Sequence, residues 1–322
     1  IARFSMNGMR QWPNWADRPP RTIRRAMSML LCFGLGYSAE HFVGAYGDGF
    51  ERIIGTVRGA ERAAVLNAHL SGRLRSLLFD GSVAAPEVTN AVRDAAFVLV
   101  SVPPHETGDP VLAVFADALA HARHLRTIVY LSTIGVYGDR GGEWVDEQTP
   151  SNPGAERSRA RLAAERAWQE FGARRGVAVA VLRLAGIYGP GQNALVQIER
   201  GNARRIVKPG QVFNRIHVAD IAQSIDAAFA RNASGIFNVA DDEPAPAGDP
   251  LTFAAGLLGV PALPEIPYEE AAPSMSPMAK SFWQECRRVK NEKLKHELGV
   301  TLSYPTYREG LRALFEEQKR AR

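Results

Sequence analysis

The chain is poor in cysteine, with two in 322 residues, Cys32 and Cys286. That excludes a disulfide framework and makes a reducing cytoplasm the expected compartment. No apolar run approaches the roughly 20 residues that a membrane-spanning helix needs, so no membrane partner is expected. His105, His121 and His124 lie close together, but no cysteine or paired carboxylate joins them at ligand spacing, and no metal is expected. There is no internal repeat and no low-complexity tract. Acids are nearly missing from the start of the chain. Residues 1–29 hold six arginines, no lysine and one acid, Asp17, so this segment carries the whole net charge of +5 and the remainder sums to zero. The basic balance is therefore no sign of a nucleic-acid groove in the folded body. The leader contains Trp12, Trp15, Pro13, Pro19 and Pro20 and lacks the apolar core of a secretion signal. It reads as a targeting arm, a membrane-surface arm, or an extension upstream of a start at Met27 or Met29. The last is favoured, because the first core strand begins directly after Met29. Residues 1–28 are thus set aside as a basic, non-core extension without fixed structure.

The remaining composition is ordinary for a soluble globular protein, with 46% hydrophobic and 23% charged residues. The length suffices for one large α/β domain or two lobes. The most informative stretch runs from Leu30 to Ala39, where a short apolar segment breaks into Gly34-x-Gly36-x-x-Ala39 and continues as a helix. In a strand–turn–helix setting this is a dinucleotide-binding fingerprint. Gly34 permits the tight turn, Gly36 lets backbone approach a pyrophosphate, and Ala39 lets the helix pack closely on the strand. Backbone N–H groups of Tyr37, Ser38 and Ala39 then face the phosphates at the positive end of the helix dipole.

Apolar strand-like runs recur at Leu30–Phe33, Ile53–Val57, Ser76–Phe79, Phe97–Val102, Thr127–Ser132 and Val177–Leu184. Helical stretches fall near Ser38–Tyr46, Ala60–Leu70, Pro86–Arg93, Pro110–Arg123 and Ala155–Phe171. This alternation predicts an α/β fold, a Rossmann doubly wound parallel sheet covered by helices on both faces. Further on, helices are expected near Gln192–Arg200, Val218–Ala230, Asn291–Leu298 and Thr306–Phe315. A strand at Ile236–Val239 is placed to join the sheet, and Pro244–Pro250 reads as a loop. The expected organisation is a dinucleotide-binding core over residues 29–184. A mixed region follows over 185–322, a small discontinuous substrate lobe plus a returning strand and helix at about 218–240 that complete the core.

Where an NAD-binding chain places an acid at the end of the second strand, this one reads Gly55-Thr-Val-Arg58, with Arg62 beyond. A guanidinium suits the 2′-phosphate of NADP, which is therefore expected ahead of NAD, although NAD stays open. Asp80, with Gly81 after it, ends the third strand and either meets the adenine amino group or serves as a plain turn aspartate.

Four segments occur in order: Gly34-x-Gly36-x-x-Ala39, Leu131-Ser-Thr-Ile-Gly-Val-Tyr-Gly138, Leu182-Arg-Leu-Ala-Gly-Ile-Tyr-Gly-Pro-Gly191 and Arg215-Ile-His-Val-Ala-Asp220. Through them the chain resembles the extended short-chain dehydrogenase/reductase superfamily, the NAD-dependent epimerase/dehydratase group, from Leu30 to Leu314. The resemblance implies that Thr133, beside Ser132, polarises a substrate carbonyl. It implies that backbone of Gly186 and Ile187 meets the nicotinamide carboxamide. Ser101, Val102 and Pro103 would line the path beneath the cofactor ribose, although Pro103 and Pro104 also simply stop a strand. It further implies pairing through two long helices, here Pro110–Arg123 and Ala155–Phe171, to give a homodimer.

The family's tyrosine, followed four residues later by a lysine, is missing. Arg157 stands where tyrosine is expected and Arg161 where lysine is expected. Arg161 can still bind a ribose hydroxyl, but a guanidinium does not give up its proton, so Arg157 cannot replace the tyrosine as an acid. Two readings stay open. In the first, the chain is an oxidoreductase or epimerase acting on a small, anionic or sugar-nucleotide substrate. Tyr137, Ser158 or His217 would then donate the proton, and Arg157 and Arg161 would clamp a substrate carboxylate or phosphate. In the second, it binds NADP without turnover, as a redox-responsive module. Arg204, Arg205 and Lys208 either meet a phosphate in the substrate lobe or form a solvated strand edge.

Overall fold

The computed structural model describes residues 28–69 and 74–320. The basic leader, apart from Ser28, and Leu70 lie outside the described residues. Strand and helix alternate through β1 (Met29–Phe33), α1 (Tyr37–Tyr46), β2 (Arg52–Val57), α2 (Ala60–His69), β3 (Leu74–Leu78), α3 (Pro86–Asp94), β4 (Phe97–Val100), α4 (Pro110–Ala120) and β5 (Thr127–Thr133). The chain continues through β6 (Trp144–Val145), α5 (Glu156–Arg175), β7 (Ala178–Leu184), β8 (Gly186–Tyr188), α6 (Ala194–Glu199), β9 (Arg205–Val207), β10 (Arg215–His217), α7 (Val218–Arg231) and β11 (Gly235–Val239). It closes with α8 (Asp249–Leu258), β12 (Glu265–Pro267), α9 (Tyr268–Ala271), α10 (Pro277–Trp283), β13 (Arg288–Val289), α11 (Glu292–Glu297) and α12 (Tyr307–Arg320).

Seven strands form one parallel sheet in the order β11-β7-β5-β4-β1-β2-β3. This is the doubly wound Rossmann arrangement that the alternation predicts. Every residue of β1 and β4 is buried, as expected of strands covered on both faces. Alternate side chains divide between two apolar layers. Leu30, Cys32, Leu99 and Val129 pack with Phe42 of α1 and Phe229 of α7. Leu31, Phe33, Val98 and Val100 pack with Phe115 of α4 and Trp168 of α5. The ring of Phe229 lies 5.8 Å from Phe42 and 5.3 Å from Phe97, so α7, late in the sequence, seals the first layer. A third cluster, with Leu195, Ala254, Tyr307 and Leu311, joins α6, α8 and α12 away from the sheet.

The sheet order reverses between β1 and β4. Helices cross to opposite faces there and leave a crevice at the strands' carboxyl ends. Some element limits differ from those read in sequence, each for a local reason. β4 stops at Val100, before Pro103 and Pro104. α4 is shorter than expected and begins where Asp109 accepts hydrogen bonds from the N–H groups of Val111 (2.9 Å) and Leu112 (3.1 Å). α5 runs on to Arg175 because the left-handed residue that ends it is Gly176. The loop expected at Pro244–Pro250 ends earlier, since Pro250 sits in the first turn of α8, where its missing N–H costs nothing. The parallel pairs β8–β10, β9–β12 and β6–β13 have two or three residues each, too few to leave a periodic signal.

Candidate functional site

The crevice opens on the turn after β1. Gly34 has φ +88, and its N–H donates to Thr56 Oγ1 at 2.9 Å, while the Leu35 N–H donates to the Thr56 carbonyl at 2.8 Å. A Cβ on Gly34 would lie 3.1 Å from Val102 Cγ1 and 3.2 Å from the Val102 nitrogen. Ser101 and Val102 thus back the turn, and the Ser101 N–H is itself tied to the Phe33 carbonyl at 2.8 Å. Gly36 differs, because no atom of the described residues lies within 4 Å of where its Cβ would be. The space beside Gly36 is open. Gly36 also caps α1 without a side-chain hydrogen bond, so no side chain covers the amides that begin the helix. Ala39 is wholly buried, which lets α1 lie close on the sheet. Tyr37 reaches across the crevice and donates its hydroxyl to the Pro190 carbonyl at 3.1 Å.

Arg58 follows β2, is exposed and forms no ion pair among the described residues, whereas Arg62 is held by Glu40. Asp80 accepts hydrogen bonds from the Ser82 hydroxyl (2.7 Å) and N–H (2.9 Å), which hold its carboxyl below the usual range. Both bonds use Oδ1, and with Gly81 they make a tight turn after β3.

The carboxyl end of β5 carries the side-chain chemistry. Thr133 is half-buried, and its Oγ1 accepts from the Gly135 N–H at 3.1 Å. A Cβ on Gly135 would come within 2.9 Å of Ser158 Oγ and 3.4 Å of Thr133 Oγ1, so the head of α5 rests its buried serine on this turn. Arg161 points inward. Its Nη1 donates to the Leu131 carbonyl at 2.8 Å and to the Tyr130 hydroxyl at 3.3 Å. Arg157, one turn earlier, points outward to α10. It donates to Ser281 Oγ at 3.0 Å and lies over the Phe282 ring at 4.1 Å. The two arginines are therefore not one clamp.

Sequence reasoning misses a buried ion pair here. Glu165 is 1% exposed and is bound by Arg183 of β7 at 2.7 Å and by the Ser132 hydroxyl. Arg183 also covers the Tyr137 ring at 4.7 Å and donates to Ser151 Oγ at 3.2 Å. Burial within one strand gives no hint of which helix supplies the counter-charge. A lone arginine in the apolar run Val179–Leu184 is the one available signal.

Two proton-donor candidates are accounted for by structure. Tyr137 is fully buried and donates to Asn238 Oδ1 at 2.8 Å, and burial pushes its phenol above the usual value. It locks the turn after β5 to β11 and is enclosed by the fold. His217 is 3% exposed, and burial, with His41 nearby, pushes it down to about 3. Its Nδ1 accepts the Ala219 N–H at 3.1 Å, which caps α7 and places the ring's proton on Nε2. It is neutral and acts as a cap. Gly186 is also committed, since its N–H donates to the Asn214 carbonyl at 3.0 Å in the β8–β10 pair. That N–H is not offered to a carboxamide, while the neighbouring Ile187 is 38% exposed. Asp220 accepts from the N–H groups of Ser303 (2.6 Å) and Tyr304 (3.1 Å), and burial raises it to about 6. Burial raises Asp241, at the end of β11, to about 8.

Among the described residues no helix is long and apolar enough to cross a membrane, and no group of acids, histidines and cysteines is arranged to hold a metal ion. A cavity of about 280 Å³ lies in the C-terminal region, between β9 and the loop before α8, with Trp283 on its wall.

The NAD dependent epimerase/dehydratase family matches residues 110–240, the stretch that carries Thr133, Arg157, Arg161 and the β8–β10 pair. The chain belongs to that family. Its fold matches that of solved structures over most of the chain. A functionally unknown conserved protein from Silicibacter pomeroyi is 42% identical, with a TM-score of 0.80 over 91% of this chain and 100% of that one. A dTDP-glucose 4,6-dehydratase from Bacillus anthracis, solved in complex with NAD, is 18% identical, with a TM-score of 0.69 over 91% of this chain and 97% of that one, and shows the fold alone. In sequence, a 3-diazoavenalumate denitrifying reductase from a Streptomyces species is 28% identical over 309 residues, 88% of this chain and 99% of that protein. This family member departs from the expected tyrosine and lysine at Arg157 and Arg161.

Proposed function

We propose that this chain binds a nicotinamide dinucleotide in the crevice beside β1 and uses it to reduce or oxidise a small molecule at the carboxyl end of β5. The observation that carries the reading is the turn at Gly34–Gly36. Its backbone is strapped to Thr56, its second glycine faces no atom of the described residues within 4 Å, and the helix behind it is uncapped by any side chain. Amides and a helix dipole so exposed fit a diphosphate, and a Cβ at Gly36 would fill the space that a diphosphate needs. The bound dinucleotide would give or take a hydride.

The chain's own residues do the rest. Arg161 is anchored by two bonds from one nitrogen, so its other donors are oriented toward a ribose hydroxyl in the crevice. Thr133 Oγ1 is a hydroxyl at the strand end that can donate to a carbonyl or accept from an alcohol. Ser158, resting on the same turn, is the second hydroxyl within reach. Ser101, Val102 and Pro103 form the floor behind the turn, and Ile187 an apolar edge. Arg58, free of an ion pair, favours the 2′-phosphate of NADP, and Asp80 retains Oδ2 for an adenine amino group. On this reading residues 29–184, with α7 and β11, carry the dinucleotide, and the rest of 185–322 covers the substrate. A homodimer through α4 and α5 is part of the same reading.

A second reading is favoured by one observation. Tyr137 is enclosed, His217 is neutral, α5 carries no tyrosine, and the Tyr37 hydroxyl in the crevice is bonded to the Pro190 carbonyl. A module that binds NADP without turnover fits that equally. Stopped-flow oxidation of NADPH against aldehydes, ketones and sugar nucleotides separates the two. Turnover of any of them supports the enzyme, and tight coenzyme binding with no turnover supports the module.

A further inference from the structure

Arg157 occupies an unusual setting for an arginine at a helix head. Its guanidinium carbon lies over Phe282, 4.1 Å from the ring centre, yet no carboxylate pairs with it among the described residues. The nearby acid Glu285 is taken by Arg287 at 2.9 Å. Of its five N–H donors, one is bound, to the neutral Ser281 hydroxyl at 3.0 Å. Arg157 belongs to α5, and Ser281 and Phe282 to α10, so the contact joins the head of α5 to the C-terminal region. Ser158, next in sequence, rests on the turn after Thr133, which sets the head of α5 beside the proposed reacting centre.

The surroundings define what such a guanidinium takes. Its remaining donors lie in the guanidinium plane, where a carboxylate is met by two parallel hydrogen bonds. Ser281 Oγ holds the place of one acceptor oxygen. Phe282 is 53% exposed and Met278 63% exposed. They are four residues apart, so they share one face of α10. An apolar strip thus continues from the guanidinium along the helix. Cation and strip together match an anion whose charge sits at the end of a flat apolar body.

We propose that Arg157 is the specificity-determining residue of this crevice, and that it selects substrates with a carboxylate on a planar, conjugated or aromatic body lying along Phe282 and Met278. This inference rests on the reading of the crevice as a coenzyme and substrate site. It replaces the acid that the family keeps at this position with an anchor for substrate charge.

The test is calorimetric titration of 4-hydroxycinnamate and of its primary amide into the protein saturated with NADP. The acid is expected to bind at least about tenfold tighter than the amide, since only the acid makes charge-assisted bonds. Arg157→Gln should abolish that preference while leaving the coenzyme titration unchanged, a split that a loss of folding would not give. Arg157→Lys should restore part of the preference, and Phe282→Leu should weaken acid and amide together. Equal binding of acid and amide, no binding of either, or a preference that survives Arg157→Gln overturns the proposal and leaves the coenzyme reading standing. If neither coenzyme binds, the function proposed above fails, and the same acid and amide titrations on the coenzyme-free protein decide the role of Arg157 on their own.

Discussion

The head of α1 and the head of α5 lie at one edge of one sheet, yet they follow different rules. At α1 the site is made of backbone. Two glycines, a strap to Thr56 and the uncapped amides of a helix define it, and side-chain identity enters mainly as absence. At α5 the site is made of side chains on a scaffold that keeps its shape. Ser158 rests on Gly135, Glu165 reaches the sheet, and Arg161 is tied to the Leu131 carbonyl, while Arg157 projects outward to Phe282. A backbone site tolerates little change, because every added carbon enters the ligand's space. A side-chain site can take new chemistry at one position without disturbing the fold that presents it.

The sharpest way to break this contrast is Gly36→Val. No atom of the described residues stands within 4 Å of the added Cβ, so the protein should fold normally. NADPH affinity should fall by about 100-fold or more, equivalent to about 2.7 kcal/mol. Calorimetry beside a thermal melt checks both halves, and unchanged affinity would remove the backbone account of the turn. The side-chain half is broken by Glu165→Gln. It leaves Arg183 buried without its counter-charge, and breaking such a pair costs about 3–5 kcal/mol. A lower denaturation midpoint should result, with the loss felt across α5, β5 and β7. A neutral outcome would mean that the scaffold beneath α5 does not depend on this pair. Smaller again is Arg58→Ala, which should weaken NADPH by roughly tenfold and leave NADH unchanged, as the loss of a charge-assisted contact implies. Equal losses for both coenzymes would place Arg58 away from the 2′ position.

The last prediction concerns pH. Asp241 is raised to about 8 by burial, and Asp220 to about 6. In the folded state they hold protons that the unfolded chain releases near pH 4. Their contribution to stability is therefore greatest below that pH and is lost as pH rises through 6 and then 8. Asp241→Asn should remove the upper part of this slope. Melting temperatures at pH 5 and pH 8 should lie closer together in the variant than in the unaltered protein, and an unchanged gap would show that Asp241 ionises freely when folded.

The same contrast explains what could be read in advance. The sheet and the turn at Gly34–Gly36 were legible because glycine spacing and alternating apolar runs report backbone geometry directly. The strand at Gly235–Val239 could be placed in the sheet for the same reason. The environment of β5 could not. Nothing in the local sequence says that the Tyr137 phenol meets Asn238, that Arg183 meets Glu165, or that the Gly186 N–H is spent on Asn214. These contacts join residues up to 101 apart, and only the folded chain pairs them. Arg157 and Arg161 are an instructive case. Spacing of four puts them on one helical face, yet their long side chains diverge, one inward to the Leu131 carbonyl and one outward to Phe282. Shared register fixed where they start and not where their charges end.

The central claim is that the turn after β1 binds a dinucleotide through backbone while α5 has given up its proton donor. Titration of NADPH and NADH into the unaltered protein, followed by calorimetry, tests it most directly. Saturable one-to-one binding is predicted, tighter for NADPH. Absence of any heat with either coenzyme, from protein that melts cooperatively, would contradict it.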